Sequence, residues 1–318
     1  MTTTVEPGEN ADVTSVSVSG DYENCEDAEE TYTVSNVQSD ITITVVFEEK
    51  EEEYPVQWYE TNDGEYEAGT LIFREGASAV MGNTHTLTLD ATIKGLQAGQ
   101  YAMNPTAVDD FSFKDVERLI VEENSGVTEI PGVDEDKLNL PELELMQLKD
   151  TFCLSQKLKD ISLSGVEKVG KFAFCWNTVE KAALTNAENI DIGDGAFKYC
   201  TFLSDVTIDA KSDLKIGNSA FDGALGVGAS YGRDCTTKLT GGSIWIGEKA
   251  FGGIRDEIRI NGNVESVGNR AFANNIGSPE VELNSDVTIH YAGGAEKFAE
   301  VCDGGLAGVG LTKENFAA

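Results

Sequence analysis

The most catalytic-looking group of residues in this chain is Gly228-Ala229-Ser230-Tyr231-Gly232, which fits the G-x-S-x-G pattern, with His290 downstream in the order hydrolases of that type use. The pattern works as a sharp turn between a buried strand and a helix, which lifts the serine hydroxyl above a parallel sheet. Here it sits inside GALGVGASYGRD (223–234), a glycine-rich stretch too flexible to hold such a turn, so no nucleophile is expected. The six cysteines, Cys25, Cys153, Cys175, Cys200, Cys235 and Cys302, form no C-x-x-C pair and no spaced framework. Most read as small apolar core fillers, although their even number permits disulfides in a secreted protein. His85 and His290 are the only histidines and lie in no ligand-spaced cluster, which disfavours zinc. The acidic runs 48–53 and 134–136 lack the alternating spacing of a calcium loop, and no glycine loop of the phosphate-cradling kind is found. Catalytic residues, cofactors and bound metals are therefore all expected to be none.

The chain that carries these groups is strongly acidic. Its 56 Asp and Glu against 23 Lys and Arg give a net charge of -33, a field that repels phosphate backbones and anionic lipid headgroups. No nucleic acid partner is expected, and the absence of any long apolar run argues against membrane insertion by this segment. Met1 runs into TTTVEPGENADVTS with neither a basic start nor an apolar core, so no signal peptide is read.

What must position any functional side chain is a repeat. VGKFAF (169–174), IGDGAF (192–197), IGNSAF (216–221), IGEKAF (246–251) and VGNRAF (267–272) share one pattern: aliphatic, Gly, two variable residues, Ala, Phe. Their phenylalanines, Phe174, Phe197, Phe221, Phe251 and Phe272, are spaced by 23, 24, 30 and 21 residues. The Gly is expected to make a tight turn after a strand, the Ala to let the next coil approach, and the Phe to stack on its equivalents. Asn177, Cys200, Ala224, Ile254 and Asn275, three residues after each Phe, read as inward turn positions. Trp176 and Tyr199, in the same turn, read as half-buried packing.

Two short alternating strands recur in each unit. The first has inward pairs Ile161/Leu163, Ala182/Leu184, Val206/Ile208, Ile258/Ile260 and Val281/Leu283. The second has Ile190/Ile192, Leu214/Ile216, Ile244/Ile246 and Val287/Ile289, with Val264 and Val267 one residue wider. One such unit cannot bury its apolar face alone, so neighbours must stack into a solenoid. The outward positions are then Ser162, Ala183, Thr207, Lys238, Arg259 and Glu282 on the first layer, and Asp191, Lys215, Trp245 and Thr288 on the second. Trp245, Lys215, Asp191, Thr207, Lys238 and Arg259 form the expected binding face, with Trp245 as its anchor unless the glycine-rich insertion folds over it.

LSDVTIDAKSDLKIGNSAF (203–221) and VEKAALTNAENIDIGDGAFKYC (179–200) resemble the BspA-type (treponemal) leucine-rich repeat of bacterial surface proteins. The resemblance runs from about Val116, where VERLIVEENSGVTEIPG (116–132) looks like a degenerate first coil, to VTIHYAGGAEKFAEVC (287–302), which looks like a strand pair entering a capping helix. It implies a mainly β fold with short turns and helices, a leucine-rich-repeat solenoid wound as a right-handed superhelix of roughly 21–24-residue coils, preceded by small β-rich modules. The divisions expected are a β module at 1–53, a β-rich linker or cap at 54–115, and the solenoid at 116–318 with its C-terminal cap at 287–318. The end of the first, TYTVSNVQSDITITVVFEEKEEE (31–53), resembles the closing strands of a divergent internalin-type B repeat, although a generic antiparallel segment fits as well. The family implies a non-catalytic, extracellular or cell-surface protein that binds an extracellular protein or glycan in adhesion or host interaction, its signal and anchor lying outside this sequence. The alternative is a glycan-binding or scaffolding segment of a larger secreted enzyme.

Overall fold

The computed structural model describes residues 2–4, 11–19, 24–28, 31–35, 37–38, 40–49, 56–58, 70–73, 82–89, 102–104, 112–133, 137, 151–225, 235–274 and 280–317. The chain divides into two compact units, Met1–Tyr54 and Pro55–Ala318. In the first, β1 (Thr2–Thr4), β2 (Ala11–Ser19), β3 (Asn24–Ala28), β4 (Thr31–Ser35) and β5 (Thr42–Glu49) form two antiparallel sheets, β1-β4-β3 and β2-β5. Alternation decides the faces of the second: Val16 and Val18 lie opposite Val45 and Ile43, half-buried, while Thr42 and Thr44 are exposed.

In the second unit, β6 (Val56–Trp58), β7 (Thr70–Phe73), β8 (Thr86–Leu89), β9 (Ala102–Asn104), β10 (Arg118–Val121), β11 (Glu129–Ile130), β12 (Asp160–Ser164), β13 (Lys168–Val169), β14 (Lys181–Ala187), β15 (Ile190–Ile192), β16 (Asp205–Ala210), β17 (Asp213–Ile216), β18 (Thr236–Ile246), β19 (Asp256–Val267) and β20 (Val287–Tyr291) join in one sheet. Apart from the antiparallel β6–β7 pair, every pairing in it is parallel. Two ladders run along the stack. The first is β8-β10-β12-β14-β16-β18-β19-β20; the second is β7-β9-β11-β13-β15-β17-β18-β19. Strands β18 and β19 belong to both, passing from one to the other at Gly241-Gly242 and Gly262. This is a solenoid of parallel coils, and its pairing extends upstream of Val116 through β7, β8 and β9.

Its interior is a column of phenylalanines. Phe113, Phe152, Phe174, Phe197, Phe221, Phe251, Phe272 and Phe298 are fully buried, and successive ring centroids lie 4.4, 5.4, 5.2, 5.0, 5.3, 5.6 and 6.2 Å apart. These are stacking distances, each adding to burial that already removes a large aromatic surface from water. Phe113, Phe152 and Phe298 extend the column beyond the five motif copies; Phe152 is separated from its Gly132 by an insertion, where Phe174 follows Gly170 by four residues. The degenerate coil at 116–132 thus has its phenylalanine, displaced along the chain. Ala173, Ala196, Ala220, Ala250 and Ala271 are buried throughout.

The motif glycine has a different reason from the expected turn. A Cβ on Gly193 would come within 2.8 Å of Lys171 N, and one on Gly217 within 2.7 Å of Asp194 N. Backbone meets backbone between coils there, so only glycine fits. Left-handed geometry falls two residues later, at Phe172 (φ 56°), Ser219 (54°), Lys249 (55°) and Arg270 (60°).

Two register assignments are corrected. Val281 and Leu283 are in no strand and are 37% and 51% exposed. Val287 and Ile289 belong to the first ladder, pairing with Asp256 and Ile258, and carry Thr288 with them beside Glu257. An alternating pattern specifies faces but not which neighbour it pairs with, and the long segment after Phe272 shifts the frame. The array closes on α1 (Gly294–Ala299) and α2 (Gly305–Gly308): Phe298 ends the column, and Phe272 N donates to Val309 O at 2.9 Å. One strand, rather than a strand pair, enters that cap.

Candidate interaction face

Parallel pairing in register makes each outward position part of a row that crosses the coils. One row of the first ladder reads Arg118, Asp160, Lys181, Asp205, Thr236, Glu257, Thr288. Its first four members alternate in sign, and Arg118 Nε lies 3.4 Å from Asp160 Oδ2. The outward row of the second ladder reads Glu129, Lys168, Asp191, Lys215, Trp245, Ser266. It alternates too: Lys168 Nζ is 2.6 Å from Glu129 Oε1, and Lys215 Nζ stands 5.6 Å from the centre of the Trp245 ring. Exposed pairs of this kind contribute about 0–1 kcal/mol each, but they leave no charge facing its like. Asp191 and Lys215 are exposed and occupied within this row; Trp245 is half-buried, with the lysine beside its ring. The Gly228–Gly232 motif and most of the insertion around it lie outside the described residues.

The neighbouring row of the first ladder differs. It reads Ile120, Ser162, Ala183, Thr207, Lys238, Arg259, His290, neutral at first and then carrying the adjacent cations Lys238 and Arg259 with His290 beside them. Rungs are about 4.8 Å apart, so Lys238 and Arg259 are like charges placed directly side by side, an arrangement that opposes folding. Glu257 offsets part of this, with an oxygen 2.6 Å from Arg259 Nη2 and another 3.5 Å from His290 Nε2. The hydrogen bond from Arg259 is the main reason the Glu257 carboxyl is held below the usual carboxylate range. The histidine contact is long for a hydrogen bond, and Nε2 is buried without such a partner. Arg259, Asn261, His290, Tyr291, Gly294 and Ala317 line an open groove of about 660 Å³ at this end of the row.

The six expected face residues thus fall in two rows: Thr207, Lys238 and Arg259 on the first ladder, Asp191, Lys215 and Trp245 on the second. His290 joins the first row because β20 pairs there, a neighbour that sequence alternation alone could not assign. In the turns, Trp176 is 40% exposed rather than half-buried, and its ring lies 5.3 Å from that of Tyr199; Phe202 is 47% exposed. No group of three or more metal-binding side chains occurs among the described residues, and no helix there is long and apolar enough to cross a membrane.

Comparison with protein families matches residues 138–227 and 236–293 to the BspA type leucine rich repeat region, in six copies. Over those residues the solenoid is a BspA-type leucine-rich repeat array. The matched span contains every Ala-Phe motif, the cationic row and most of the groove. No curated protein and no solved structure matches the chain. Leucine-rich repeats of this type point to protein–protein interaction.

Proposed function

We propose that this is a non-catalytic cell-surface or secreted protein that mediates adhesion or host interaction, gripping an acidic patch of an extracellular protein with Lys238, Arg259 and His290. The observation that carries this reading is the row of like charges on adjacent rungs. Its two companion rows alternate sign, as the fold favours, whereas this row accepts repulsion and opens onto a groove. The net charge of -33 does not forbid an acidic partner patch, since charges more than about 8 Å away are largely screened at physiological salt. The N-terminal unit serves on this reading as a B-repeat-like β module that carries the array.

The test is binding of the whole chain to immobilised extracellular-matrix proteins, fibronectin first, beside a Lys238→Glu/Arg259→Glu variant. Binding should weaken at least about tenfold with the melting temperature unchanged. Equal binding by both proteins would place the interface elsewhere.

A second reading has one observation in its favour. The exposed Trp176, with the Tyr199 ring tilted against it, suits the face of a sugar ring, as a glycan-binding segment of a larger secreted enzyme would require. Glycan-array binding lost in Trp176→Ala but kept in the charge-reversed variant would select it.

A further inference from the structure

The residue after each column phenylalanine forms a column of its own: Lys114, Cys153, Cys175, Lys198, Asp222, Gly252, Ala273. Neighbours along it reach each other. Lys114 Nζ donates to the Cys153 carbonyl, and Lys198 Nζ lies 3.1 Å from Asp222 Oδ2 in a mostly buried pair. Between these sit two free, fully buried thiols, Cys153 and Cys175, packed together with Val133 and Leu154. Their coils are joined by Leu154 N donating to Cys175 O at 2.8 Å, and their preceding rings, Phe152 and Phe174, are 5.4 Å apart. Adjacent coils stand about 4.8 Å apart, inside the range of Cα separations, roughly 4.4–6.8 Å, that a disulfide spans.

We propose that Cys153 and Cys175 are a cross-linking site, at which a disulfide staples the coil of Phe152 to that of Phe174. Three others point elsewhere: Cys200 Sγ donates to Phe174 O, Cys302 Sγ to Phe298 O and Cys235 Sγ to Leu203 O. The oxidant is a small disulfide of the glutathione class. The Cys153 thiolate attacks one of its sulfurs and expels a glutathione thiolate. The Cys175 thiol, giving up its proton, then attacks the Cys153 sulfur and expels the second. Two protein thiols are oxidised by two electrons, and the small disulfide leaves as two thiols. In the folded coil the neighbouring Cys175 thiol and the charge of Lys114 lower the Cys153 thiol, while Cys153 and burial raise the Cys175 thiol. Both sulfurs are buried in the finished coil, so exchange takes place as the chain folds.

The whole chain is unfolded, refolded in oxidised and reduced glutathione, checked for native circular dichroism, alkylated in denaturant without reductant, and mapped by peptide mass. The expected result is one linked peptide pair, Cys153–Cys175, lighter by two hydrogen atoms, with Cys200, Cys235 and Cys302 alkylated. Reductant should lower its melting temperature by roughly 5–10 °C, and a Cys153→Ser/Cys175→Ser variant should lose that sensitivity while Cys200→Ala keeps it. Alkylation of both Cys153 and Cys175 in the natively refolded chain, or an unchanged response to reductant in the double variant, would overturn the proposal. Neither outcome bears on matrix binding by the outward row.

Discussion

In β16, Val206 and Ile208 point into the stack while Thr207 points out, and along the array the two sides behave differently. Inward positions keep one chemistry from coil to coil, because each must fill the same space against a copy of itself. Outward positions change at every coil: Thr207 is followed by Lys238, Arg259 and His290. The difference shows which constraint is acting. Stacking identical coils demands identical interiors but asks of the exterior only that like charges not meet, and Lys238 beside Arg259 breaks that requirement.

Substitutions can break or sharpen this contrast. Phe221→Ala, which interrupts the column at its most parallel stacks, should cost about 3–5 kcal/mol in chemical denaturation. A cost below 1 kcal/mol would mean that the column is not what holds the coils together. Next comes Cys200, whose thiol burial pushes up to about 12 from an ordinary 9.0. The fold favours its neutral form, so this contribution is whole below about pH 9 and is lost as pH rises toward 12, by a few kcal/mol at most. Cys200→Ala should therefore have a flatter stability curve than the parent over that window, and parallel curves would contradict the burial.

Smaller effects come from positions that violate the rule of their side. Thr237 lies on the inward side, between Val206 and Ile258, with its hydroxyl buried and unpartnered. Thr237→Val should stabilise the protein by about 1 kcal/mol, read as a higher denaturation midpoint. Trp245 is the outward counterpart, half-buried beside Lys215. Trp245→Ala should cost about 1–2 kcal/mol, more than an exposed side chain and less than a core one.

The amino-acid sequence by itself determined the solenoid, the inward alternation and most outward positions, because a repeat that must pack against itself writes the same residues at the same spacing. It also showed that glycine was needed in each motif, though the reason, backbone approach between coils at Gly193 and Gly217, is a contact between segments more than twenty residues apart. Only the tertiary structure decided register. Phe152 entered the column across an insertion, and Val287 and Ile289 passed to the first ladder, because pairing is settled by which neighbour a strand meets. Register also made the candidate site. Lys238, Arg259 and His290 are unremarkable in the linear chain, and they become neighbours in one row only when three coils are laid side by side.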